Sequence, residues 1–169
     1  MPVDSFKFLP RLIAAFYQST QIEATGPIPW TPLPAPLAEC MFGLVTSGGL
    51  YQKEVETPFD LGRELNQPTW GDPTYRVIPV DIPQGQVGVS HLHVNPKSVL
   101  QDIDILLPIH RFQELIDQGW VGGLARHAYS FMGYQGFPPN PSEWKNNYGP
   151  QVAERLKADG VQCVLLTPS

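Results

Sequence analysis

Two histidines stand two residues apart in "SHLHVN" (90–95), so half of the chain's four histidines fall in one step. In a strand, residues i and i+2 project to the same side, and His91 and His93 are expected to point together from one strand face. Two imidazoles placed that way can bind zinc, iron or another transition metal once one or two further ligands join them. Asp102, Asp104 and His127 are the nearest candidates along the chain. The pair reads equally as polar or substrate-binding histidines with no metal at all.

A second group lies in "RHAYSFMGYQG" (126–136), where Arg126, His127, Tyr129 and Ser130 gather near the end of an expected short strand. Such residues can supply hydrogen bonds, a proton donor or an anion clamp. Tyr129, Phe131, Met132 and Tyr134 also read as packing beneath a surface loop. A third group is "TSGGLY" (46–51), just after an apolar run. Backbone amides at Ser47, Gly48 and Gly49 could cradle an anion at the carboxyl end of a strand. The spacing is neither a dinucleotide fingerprint nor a P-loop, and a tight turn needing glycine for positive φ explains the same residues. The candidate substrate-binding residues are therefore Ser47, Gly48, Gly49, His127, Tyr129 and Ser130, and the candidate metal ligands are His91 and His93. No Ser-His-Asp or Cys-His arrangement can be read from spacing. Cys40 and Cys163 make no C-x-x-C pair and read as small buried hydrophobes.

Several elements must position these groups. Residues 9–18 read as a helix, with Pro10 in the first turn and Leu9, Ile13 and Phe16 on one stripe. "GPIPWTPLPAPL" (26–37) carries many of the chain's 19 prolines and reads as an extended strap, anchored by Trp30. Strands are expected in 40–51, 75–83, 85–94 and at the start of 121–134. "PIHRFQELIDQG" (108–119) is a helix by its apolar face and its closing Gly119. Residues 140–160 read as a helix capped by Asn140, in which Pro150 should produce a break or kink. "GVQCVLLTPS" (160–169) reads as a buried strand. The stretch 52–74 reads as one long irregular loop, of functional or interface kind. Helices alternating with apolar strands predict an α/β fold: a mostly parallel, Rossmann-like sheet flanked by helices, as a single domain over 1–169.

Composition narrows the function. A formal charge of −5 offers no basic surface for nucleic acid. No apolar run approaches the ~18 residues of a membrane span, and the N-terminus lacks the pattern of a signal peptide. A cytoplasmic protein is the expectation.

The ordered set "LVTSGGLY", "YRVIPVDIP", "SHLHVN", "DIDILLPIHRF", "VGGLARHAYSFMGY" and "VAERLKADGVQCVLLTPS" resembles the selenoprotein B subunits of the glycine, sarcosine, betaine and D-proline reductases, in particular their short relatives. The likeness runs from about residue 40 onward. It implies that "LLTP" leads into a loop carrying a redox selenocysteine or cysteine, the nucleophile of such reductions. Ser169 would stand immediately before or at that position, with the following cysteine, helix and strand of the family fold missing. One expectation is an open reading frame closed at an in-frame UGA codon, giving a fragment inactive alone; the rival is a natural truncation. Asn95, Asp104 and His110 depart from the family pattern, where Asp, Asn and an acidic residue are usual. The resemblance implies other reductase subunits as partners, and an open sheet side implies a homo-oligomer. The alternative function is a non-redox module that binds a small molecule or a divalent metal on the same scaffold.

Overall fold

The computed structural model describes residues 31–169, together with Pro10, Arg11, Leu12, Ala14 and Ala15. The expected helix at 9–18 and the first half of the proline strap, Trp30 included, lie largely outside the described residues. The chain divides into two compact units, Met1–Pro32 and Leu33–Ser169. The second is a single α/β domain. Its prolines at 34 and 36 are exposed and lead into a 3-10 turn at Leu37–Glu39.

Among the described residues seven strands form: β1 (Met41–Thr46), β2 (Leu50–Gln52), β3 (Tyr75–Pro79), β4 (Val87–Val89), β5 (Gly123–Leu124), β6 (His127–Phe131) and β7 (Cys163–Thr167). The principal sheet is built around β1, whose partners β5, β6 and β7 all run parallel to it. Phe42 pairs with both Leu124 and Cys163, and Val45 with both Tyr129 and Leu166. Strands β5 and β6 therefore follow one another along one side of β1, with β7 on the other. β3 joins β6 antiparallel at the far edge, and β2 and β4 make a separate antiparallel pair. The sheet is mixed and mostly parallel.

Alternation along the strands sends side chains to two cores. Leu44, Ile78 and Ala128 meet Val99, Ile103, Leu107 and Phe112 on one face. Tyr129 and Phe131 meet Val152 and Leu156 on the other, joined by Val45, Val77, Trp144 and Tyr148. Helices cover these faces: α2 (Pro96–Gln101) and α3 (Ile109–Asp117) contribute to the first, α4 (Gly149–Ala158) to the second. Gly119 and Gly160 take φ of +73° and +74° at the ends of α3 and α4, the left-handed stop that glycine adopts without penalty.

Three expectations need correction. The stretch 52–74 is not structureless: α1 (Leu61–Asn66) forms within it, because Asp60 Oδ1 accepts from Arg63 N at 2.9 Å and caps the first turn. The irregularity expected at Pro150 takes another form than a break at the proline itself. A π-type turn at Trp144–Tyr148 precedes α4 and leaves Pro150 in the first turn, where its missing N–H is harmless. Strand β7 is not buried: Val164, Leu165 and Leu166 are 45%, 36% and 67% exposed. The apolar run marked a strand with two core-facing sides, but among the described residues only β1 pairs with it.

Candidate functional site

Strands β1, β6 and β7 all point their carboxyl ends the same way, the end at which open α/β sheets bind ligands. A cavity of 470 Å³ opens there. Val45, Phe131, Trp144 and Leu166 form apolar walls, and Ser47 and Ser169 its polar rim. The Phe131 and Trp144 rings meet edge-on at 5.5 Å. No lining side chain is charged.

Hydrogen bonds hold the rim together. Thr46 Oγ1 donates to Thr167 O at 3.1 Å, and Thr167 Oγ1 donates to Leu106 O at 2.6 Å. Ser47 Oγ accepts from Ser169 N at 2.8 Å and faces Ser169 O at 3.5 Å. Gly133 completes this corner by lacking a side chain. A Cβ there would stand 2.8 Å from Ser169 O, 3.2 Å from Ser47 O and 3.2 Å from His91 Nε2.

His91 thus reaches the same corner, but not from a strand. β4 stops at Val89, so His91 and His93 sit in the turn that follows, correcting the expectation of a shared strand face. Ser90 N donates to Gly49 O at 2.8 Å and pins the turn against the β1–β2 connection. The two rings still meet, edge-on, 6.0 Å apart. His91 is 7% exposed, whereas His93 is open to solvent. His91 Nδ1 accepts from His93 N at 3.1 Å, so the neutral ring carries its proton on Nε2. Burial, reinforced by the neighbouring His93, pushes its pKa down and keeps the ring neutral. Nε2 is buried without a hydrogen-bond partner.

The proposed metal partners are engaged elsewhere. Asp102 Oδ1 accepts from Asp104 N, and Asp104 accepts from both His110 N at 2.8 Å and His110 Nδ1 at 2.9 Å, with Arg111 at 3.6 Å. Among the described residues no three His, Cys, Asp or Glu side chains converge as a metal site needs. Asn95 caps α2 through Lys97 N.

The structure separates the six candidate binding residues. Ser47 lies at the cavity. Gly48 N donates to Thr46 Oγ1 and Gly49 N to Phe131 O, so these amides are spent within the turn, where Gly49 has φ of +65°. Ser130 is fully buried and accepts from Leu50 N at 2.7 Å, tying β6 to β2. Tyr129 packs in the core with its ring edge against Tyr75, and burial raises its phenol pKa. His127 is exposed at the amino end of β6, about 13 Å from the carboxyl end at 3.3 Å per residue. Gly133, Phe131 and Trp144 were missed as site residues. The signal for Gly133 was a lone glycine two residues past the strand end in "YSFMGY"; Trp144, from a distant helix, left none.

Residues 14–169 match the family model described as glycine/sarcosine/betaine reductase selenoprotein B. The D-proline reductase subunit gamma of Acetoanaerobium sticklandii is 32% identical over 146 residues, covering 86% of this chain and 55% of that protein. The glycine reductase complex component B subunit gamma of Carboxydothermus hydrogenoformans is 28% identical over 141 residues, covering 83% of this chain and 30% of that one. The chain therefore spans about half of the first relative and under a third of the second. No solved structure matches it significantly. With its ordered motifs and this match over nearly its whole length, the chain belongs to the glycine/sarcosine/betaine reductase selenoprotein B family.

Proposed function

We propose that this chain is a selenoprotein B-type subunit, or a fragment of one, of a reductase acting on glycine-, betaine-, sarcosine- or D-proline-type substrates. The substrate would enter the cavity at the carboxyl ends of β1, β6 and β7, and the redox selenocysteine or cysteine would stand at or just after Ser169. The observation that carries this reading is convergence: the segment resembling the family's "LLTP" strand brings Ser169 to the rim of that cavity. Reductive cleavage of this kind calls for a selenolate or thiolate nucleophile. Gly133, by lacking a Cβ, leaves the corner beside Ser169 open, while Ser47 fixes the backbone there.

The bare apolar flank of β7 supports assembly, either with further subunits of a reductase or with a second copy. No helix of the described residues is long and apolar enough to cross a membrane, and a cytoplasmic location fits reductive chemistry. Sequencing the genomic DNA past the Ser169 codon tests the proposal. A UGA or cysteine codon read in frame at or just after that position is expected; a frame that carries neither would sink it.

The second reading, a binding module without a redox group, is favoured by one observation: the buried His91 Nε2 donor is already formed in this chain. It predicts small-molecule binding by the chain alone, measured by calorimetry.

A further inference from the structure

Three buried side-chain atoms among the described residues have no hydrogen-bond partner, and two are N–H groups: Trp144 Nε1, from a residue lining this cavity, and His91 Nε2, behind Gly133 at the cavity's corner. Buried donors are almost always paired, and leaving one unpaired is costly. Unpaired donors beside one cavity mark a place where an acceptor belongs.

We propose that His91 Nε2–H and the Ser47 hydroxyl are the carboxylate-holding pair of this cavity, with Trp144 Nε1–H in its wall as a supporting donor. This rests on the reading of the cavity as the substrate site and assigns the atoms that would recognise the substrate's acid group.

The positions of the donors carry the assignment. Ser47 Oγ accepts from Ser169 N and directs its own proton at Ser169 O, a bond long enough for a nearer ligand oxygen to replace. It faces Ser169 O over a long 3.5 Å. That oxygen also lies 2.8 Å from the point where a Gly133 Cβ would stand, and His91 Nε2 lies 3.2 Å from the same point. An acceptor oxygen of the chain itself thus stands beside the Ser47 donor and near the His91 one, and marks the corner a ligand oxygen would enter. Ser169 is exposed at that corner.

Chemistry selects the ligand class. Two donors at one corner suit a two-oxygen head group. With no Lys or Arg lining the cavity, a phosphate would lack the charged partners it normally recruits. The walls of Val45, Phe131 and Leu166 suit a small, partly apolar body. The His93 amide bond to Nδ1 holds the imidazole in the tautomer that donates from Nε2.

The test uses the chain with nitrogen-15-labelled imidazoles. Its His91 Nε2 resonance is assigned by loss in His91→Gln and followed during titration with acetate, glycine and D-proline. A saturable shift is expected with all three. In calorimetry, His91→Phe should weaken D-proline binding about tenfold, as loss of one hydrogen bond implies. His91→Gln, which keeps an N–H near the same place, should stay within about threefold and serves if the Phe variant fails to fold. Ser47→Ala should fall between them. No response of the His91 resonance to any carboxylate overturns the inference, as does His91→Phe binding as tightly as the parent chain. A response to acetate alone leaves the carboxylate pair standing and removes the amino-acid substrate reading. Calorimetric binding of D-proline with a silent His91 does the reverse.

Discussion

The two edges of the main sheet are built to opposite plans. At the β3 edge, the segment 56–59 lies along the strand and answers its outward groups. Glu56 Oε1 accepts from Val77 N at 2.8 Å, and Glu56 Oε2 accepts from Gln52 N at 3.1 Å, so one carboxylate ties β3 to β2. Arg76 donates to Thr57 O at 2.7 Å and lies over the Phe59 ring at 4.0 Å. At the β7 edge nothing comparable stands among the described residues, and three consecutive apolar side chains are exposed. Proteins normally protect an edge strand with charge, proline, a bulge or a covering segment. One edge is thus finished within this chain, and the other has the composition of a strand made to be covered. The candidate site lies beside the second.

The largest expected effect marks the middle of the sheet, against which both edges are measured. Leu44 is 1% exposed in β1, and Leu44→Ala should cost about 3 kcal/mol in chemical denaturation. Glu56→Ala should cost about 1–2 kcal/mol, because it leaves two backbone donors without their partner. A loss below a few tenths of a kcal/mol would show that solvent satisfies the β3 edge as well as Glu56 does, and the contrast between edges would fail.

Sequence patterning revealed the helices and most of the strands because each signal is local: Pro108 and Gly119 bracket α3, and Asn140 caps the segment leading to α4. It revealed the site only in part. Ser47 follows β1 directly and was visible. His91 was visible as chemistry but misplaced, since β4 ends two residues earlier and alternation no longer applies. Trp144 and Ser169 reach the cavity through tertiary packing that no spacing encodes. The departures at 104 and 110 are also clearer in three dimensions. The two residues contact one another, Asp104 accepting from His110 at 2.9 Å, so departures expected from the resemblance as separate would act as one pair.

Titration separates the covered side from the site. The segment shielding β3 runs on into α1, where Glu64 is 4% exposed with Oε1 unpartnered. Burial raises its pKa above 4.5 despite the opposing pull of His93. The folded state therefore holds that proton more tightly, and its ionisation costs stability as pH rises through the folded value. Glu64→Gln should stabilise the protein by about 1 kcal/mol at pH 7 and by less near pH 5. His91 works in the other direction. Its pKa is lowered from 6.5, so the unfolded chain takes up a proton that the folded chain refuses, and stability falls as pH drops below 6.5. His91→Gln should flatten that limb of the profile. Thermal denaturation of both variants from pH 5 to 8 checks the pair of signs, and parallel profiles would contradict them.

The smallest effect on stability tests the open edge. Leu166 is 67% exposed, and its side chain rests on the groove formed with Val152, Leu156 and Val161 of the α4 side. Leu166→Lys removes little buried area, and a lysine stem can lie along the same groove with its ammonium in water. The variant should unfold within about 0.5 kcal/mol of the parent chain, as exposed substitutions usually do. Its effect should show in mass instead. If β7 is the strand by which this chain meets a second copy, light scattering should find a dimer or larger assembly for the parent and a smaller species for Leu166→Lys, because an edge lysine opposes further pairing. A parent chain that is already monomeric would remove self-association through β7, leaving other polypeptides as the cover for that edge. A variant that loses several kcal/mol would mean that β7 is integral to the core, and the two edges would differ in appearance alone.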